Sequence, residues 1–134
     1  MRLLLVALVA AAALLVVPLA GAKDFHPGDL RICSSKHCVP IVNRDVLPRL
    51  AAFYYSNYAL TQTHRPARGA PYYELRFRNG YVTGVVAAAR LDRFLSYGVN
   101  SGRFASGRWY AVPRRVSAEL RRLSAGLRPL HLTR

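Results

Sequence analysis

The stretch YYELRFRNGYVTGVVA, Tyr72 to Ala87, constrains the fold more than any other part of the chain. Asn-Gly between alternating segments is the strongest short-range signal for a β-hairpin, because a type I′ turn needs positive φ at both central residues. A two-residue loop at Asn79-Gly80 fixes the register: Arg78 opposite Tyr81, Phe77 opposite Val82, Arg76 opposite Thr83, Leu75 opposite Gly84 and Tyr73 opposite Val86. Side chains two apart share a face of a strand. Tyr73, Leu75, Phe77, Val82 and Val86 are therefore predicted to face a core, and Tyr72, Glu74, Arg76, Arg78, Tyr81 and Thr83 to face solvent.

A second hairpin is expected over Leu30 to Val42, where two short β-branched runs flank Ser34-Ser35-Lys36-His37. Cys33 and Cys38, the chain's two cysteines, stand at the ends of this four-residue loop. Zinc needs about four ligands, and only His37 and distant His26 could join the thiols, in no recognised spacing. A redox pair wants C-x-x-C, whereas four residues intervene here. Positions flanking such a loop lie close enough for a disulfide, so Cys33–Cys38 is expected to be a structural clasp.

The compartment follows from residues 1–22. Arg2 precedes the apolar run Leu3 to Val17, and Ala20-Gly21-Ala22 has the small-x-small pattern of a signal-peptidase site. The fifteen apolar residues make about 22 Å of helix, short of a hydrocarbon core of about 30 Å. The reading is a cleaved signal peptide over 1–22 and a single domain over 23–134, secreted or held in the cell envelope with no transmembrane segment left in the mature chain. Lys23 rather than a cysteine follows the expected cut, so no lipid anchor is indicated.

Asp45 stands as the expected N-cap of a helix over about 46 to 55, with Pro48 in its first turn and Val46, Leu47, Leu50, Ala51 and Tyr54 at helical spacing. Residues 56–71 show no sustained period and read as a loop. Residues 87–97 fit either a helix, with Leu91, Phe94 and Leu95 at helical spacing and Gly98 as C-cap, or a prolonged strand. The echo Ser-Gly-Arg-Phe and Ser-Gly-Arg-Trp at 101–109 reads as two turns around a short strand, followed by a strand from Arg108 to Val112. Val116, Leu120, Leu123 and Leu127 mark a final amphipathic helix that stops near Gly126. Two hairpins, a further strand and two or three packed helices amount to a small α+β domain.

Charge supplies the main functional indication. The formal net charge is +14, and removing Arg2 with the leader leaves a large excess that acts at long range on polyanions such as an envelope polymer, anionic lipid or nucleic acid, or on an acidic protein. The candidate anion-binding residues are Arg76, Arg78 and Tyr81 on the hairpin, Arg103 and Arg108 around the echo, and Arg114, Arg115, Arg121 and Arg122 on the last helix, where Glu119 alone can pair. The favoured reading is an exported basic binding module without cofactor or metal. A secreted inhibitor or structural envelope protein that recognises a partner protein is the alternative. GxSxG, HExxH, GxxxxGK and GxGxxG are all missing. The remaining enzyme reading is a small secreted ribonuclease, with Glu74 as general base, Arg76 on the phosphate and His131 or His64 as acid.

Overall fold

In the computed structural model, which describes residues 25–55 (backbone only for 52–55), 61–96 and 107–131, the Asn-Gly hairpin forms with a different turn. Its strands are β4 (Tyr72–Phe77) and β5 (Val82–Ala87). Within the turn only Gly80 has positive φ, +87°. The Gly80 N–H donates to the Phe77 carbonyl (2.8 Å) and the Phe77 N–H to the Tyr81 carbonyl (2.8 Å). This is a three-residue loop ending on a left-handed glycine rather than type I′. Asn79 contributes through its side chain, whose Oδ1 accepts the Tyr81 N–H at 3.0 Å. Tyr81 thus lies across from Phe77 and Val82 from Arg76, one residue off the expected register. A bulge opposite Leu75/Arg76 takes up Thr83, and beyond it Leu75↔Gly84 and Tyr73↔Val86 pair as predicted.

The remaining strands join this hairpin in one sheet. They are β1 (Leu30–Cys33), β2 (Cys38–Pro40), β3 (Gln62–Thr63), β6 (Arg93–Ser96) and β7 (Trp109–Ala111), in the order β2-β1-β4-β5-β6-β7-β3, with every pairing antiparallel. Among the described residues the helices are α1 (Leu47–Tyr55) and α2 (Arg114–Ser124). The expected α+β domain of separate hairpins under two or three helices is therefore incorrect: among the described residues the protein is mainly a seven-stranded antiparallel sheet carrying two short helices. Residues 93–96 decide the difference. Leu91 sits in the turn before β6 with φ +55°, which breaks the helical spacing, and Phe94 and Leu95 then enter separate cores.

Those cores lie on opposite faces. Leu30, Ile32, Tyr73, Leu75, Val86 and Phe94 meet Val46 just before α1, Leu47 and Leu50 on α1, and Val116 and Leu120 on α2. At about 2 kcal/mol for each fully buried aliphatic side chain, this cluster is the main driving force for the fold. On the other face Val85, Ala87, Leu95 and Trp109 form a second buried cluster, with Tyr72 packed against it. The β4–β5 face expected to be solvated is thus largely covered at its β5 end. Two consecutive apolar residues in β5, Val85 and Val86, already imply burial on both faces.

Local chemistry sets the element ends. Asn43, not Asp45, starts the turn into α1: its Oδ1 accepts the Asp45 N–H (2.9 Å) and its carbonyl the Val46 and Leu47 N–H groups (3.1 Å each). In α2 the apolar positions point inward as predicted, and Pro113 precedes its first residue. The chain then returns to the sheet, where Leu130 and Tyr72 exchange backbone hydrogen bonds of 2.9 and 2.7 Å. Cys33 and Cys38 are bonded, a cross-strand pair with Cα atoms 4.1 Å apart. Their loop closes through the Ser34 N–H on the His37 carbonyl at 2.8 Å. The signal peptide expected over 1–22, and Arg103, lie outside the described residues.

Candidate anion-binding surface

The candidate arginines that the structure describes fall in four places. The densest group is on α2. Val116 and Leu120 point into the core, which forces the residues flanking them outward. Arg114 and Arg121 fall on one stripe at i, i+7, with Ser117 between them. Ser117 Oγ (2.9 Å) and Arg121 Nη2 (3.1 Å) both donate to the Arg90 carbonyl, which brings exposed Arg90 to the same side. Arg115 and Arg122 form the second stripe. It borders an open groove of about 440 Å³ whose other wall is Asn43, Asp45 and Val46.

Glu119, 8% exposed, lies in this groove and is the one carboxylate on α2. Arg122 Nε and Nη2 donate to its two oxygens at 3.0 and 2.7 Å. Those bonds, with a further one to Asn43, hold its carboxyl below the ordinary glutamate value against the opposing effect of burial. Arg122 is therefore neutralised in part. Arg114 and Arg115 are exposed and, among the described residues, form no ion pair.

Arg78 and Tyr81 occupy the tip of the β4–β5 hairpin. Arg78 Nη2 is 3.9 Å from Asp29 Oδ1. Tyr81, 57% exposed, stacks on Phe77 with ring centroids 6.3 Å apart, and Phe77 in turn meets Phe25 edge-on at 5.7 Å. Arg76 is elsewhere again, on the sheet face opposite the helices. It is half-buried and bonded to Glu74, with its Nε 2.6 Å from Glu74 Oε2 and its Nη2 also on that oxygen. Arg108 is exposed just before β7. The α2 arginines and Arg76 thus stand on opposite sides of the sheet and cannot contact one flat ligand together.

Two arginines missed in the sequence reading belong to these groups. Arg31 alternates with core residues Leu30 and Ile32, which was signal enough to place it on Arg76's face. Arg90 lies in a turn, and nothing in its local sequence points to α2. Burial, and to a lesser extent the charge of Glu74, raise the Tyr72 hydroxyl above its ordinary value, so it stays protonated at neutral pH. The components of the ribonuclease reading are spread out. Glu74 is bonded to Arg76, whereas His64 follows β3 at the far edge of the sheet and exposed His131 follows the bridge at Leu130. No group of three or more His, Cys, Asp or Glu residues suited to a metal occurs among the described residues.

Comparison with known proteins gives no guide: no family model matches the chain, and neither the curated proteins nor the solved structures yield a match.

Proposed function

We propose that the protein is an exported binding module that holds an anionic polymer or anionic lipid head groups through the outer face of α2. One observation carries this reading. Arg114, Arg115 and Arg121 project from a helix of eleven residues whose single carboxylate is already engaged by Arg122. A rigid helix anchored by Val116 and Leu120 fixes these guanidinium groups at helical spacing, so little side-chain order remains to be imposed on binding. The large positive net charge draws polyanions in from a distance, and the α2 face supplies the contact.

The partner-protein reading keeps one feature in its favour: the Phe25–Phe77–Tyr81 aromatic group at the hairpin tip, with Tyr81 largely exposed. Salt separates the two, because polyanion binding weakens through counterion release and an aromatic anchor does not. The test measures affinity for heparin, duplex DNA and phosphatidylglycerol vesicles across a range of salt. Affinity is expected to fall steeply with salt, and Arg114→Ala/Arg115→Ala/Arg121→Ala is expected to reduce the log–log slope on DNA by about 2 to 3. Unchanged binding by that variant, while Tyr81→Ala abolishes binding, would overturn the proposal.

A further inference from the structure

The sheet face opposite α1 and α2 carries a second cationic group, assembled from strand register alone. Arg31 points there because Leu30 and Ile32 on either side are in the core. Its partner across the ladder is Arg76, so two guanidinium stems stand side by side. Like charges directly opposite each other destabilise a sheet. The fold supplies one carboxylate beside them, that of Glu74, and Arg76 takes it through Nε and Nη2.

Arg31 finds no substitute. On its other flank the register partner is Pro40, whose side chain accepts nothing. Two residues back along the chain, just before β1, Asp29 is also engaged: its Oδ2 accepts the His26 N–H at 2.8 Å and its Oδ1 faces Arg78. Arg31 Nε is buried, and no protein acceptor is bonded to it. A buried N–H of a charged group without an acceptor is costly. Among the described residues, the local balance of two cations and one anion leaves one positive charge over.

We propose that Arg31 and Arg76 form an oxyanion site for a single phosphate group, free or as a monoester or diester. A tetrahedral oxyanion matches the requirement: it supplies an acceptor for Arg31 Nε, bridges two planar forks, and balances the charge left over by Glu74. A carboxylate offers two oxygens in one plane, whereas those of a phosphate are disposed tetrahedrally. The site shares no residue with the α2 face and is independent of the function proposed above.

The experiment follows the arginine Nε–Hε resonances of the isotopically labelled full-length protein. The probes are inorganic phosphate, dimethyl phosphate and phosphatidylglycerol vesicles, which separate a free phosphate from a soluble diester and a lipid head group. A saturable shift of the Arg31 and Arg76 signals is expected with at least one probe, and it should persist in Arg114→Ala/Arg115→Ala/Arg121→Ala. Arg31→Met should weaken it at least tenfold, and Arg31→Lys, which keeps the charge and loses the fork, several-fold. The wild-type titration stands even where a variant fails to fold. Shifts that never saturate with any probe, or that vanish in the α2 variant, would overturn the site.

Discussion

Gly84 shows how closely one residue can be specified by its neighbours. A Cβ built at this position would overlap the Leu95 carbonyl oxygen and come within 2.7 Å of the Phe94 ring. The first of these is backbone of the adjacent strand, so it cannot rotate away. Gly84→Ala is therefore expected to destabilise the protein by about 3 kcal/mol, the upper end for overpacking a core. Denaturant unfolding checks this, and a loss below about 1 kcal/mol would mean that β5 and β6 can separate locally at little cost. Nothing in the sequence around Gly84 announces this role, because the constraint comes from Phe94 and Leu95, ten residues and more away. Arg31 could have been placed by alternation with Leu30 and Ile32 but was not, and its lack of a counterion among the described residues depends on Pro40, Glu74 and Asp29, from three segments. Alternation within a strand can be read locally, whereas what stands opposite requires the sheet order.

At the scale of elements, α2 is tied to the start of α1 through Glu119, which reaches both Arg122 and Asn43. Because its folded carboxyl titrates below the ordinary value of 4.5, its contribution is complete above that pH and is lost as the pH falls through the folded value. The thermal midpoint should drop on acidification below about pH 4.5, and Glu119→Gln should be less stable at neutral pH with a shallower acid decline. An equally steep decline in the variant would assign the acid sensitivity to other carboxylates. The β1–β2 hairpin makes a complementary case. A disulfide closing a loop of about six residues contributes only about 2 kcal/mol in the chain-entropy view. Its reduction should raise amide exchange over Ser34–Pro40 and leave β4 to β6 protected. Loss of protection in β5 on reduction would mean that the clasp supports the whole sheet. Both hairpins and α2 were legible from turn residues and periodicity. Strand β6 was not, since Leu91, Phe94 and Leu95 imitate a helix until Leu91 adopts positive φ.

For the whole molecule, the local signals found both hairpins and the two helices, missed β3 in the segment read as a loop and left β6 undecided, and mistook the assembly. Antiparallel pairing of β1 with β4 and of β3 with β7 joins residues far apart in the chain, and local signals carry no information about such pairings. Whether the candidate arginines share one side depends on the same sheet order, which puts Arg76 on the face away from α2. The sheet order has a further consequence for behaviour at high concentration. Its two edges are β2, three residues ending in Pro40, which has no N–H to offer, and β3, only two residues long. An open sheet normally invites another strand to pair along its rim. Among the described residues neither rim offers a long template to copy, so the same sheet that buries a core on both faces is expected to resist growth into cross-β fibrils.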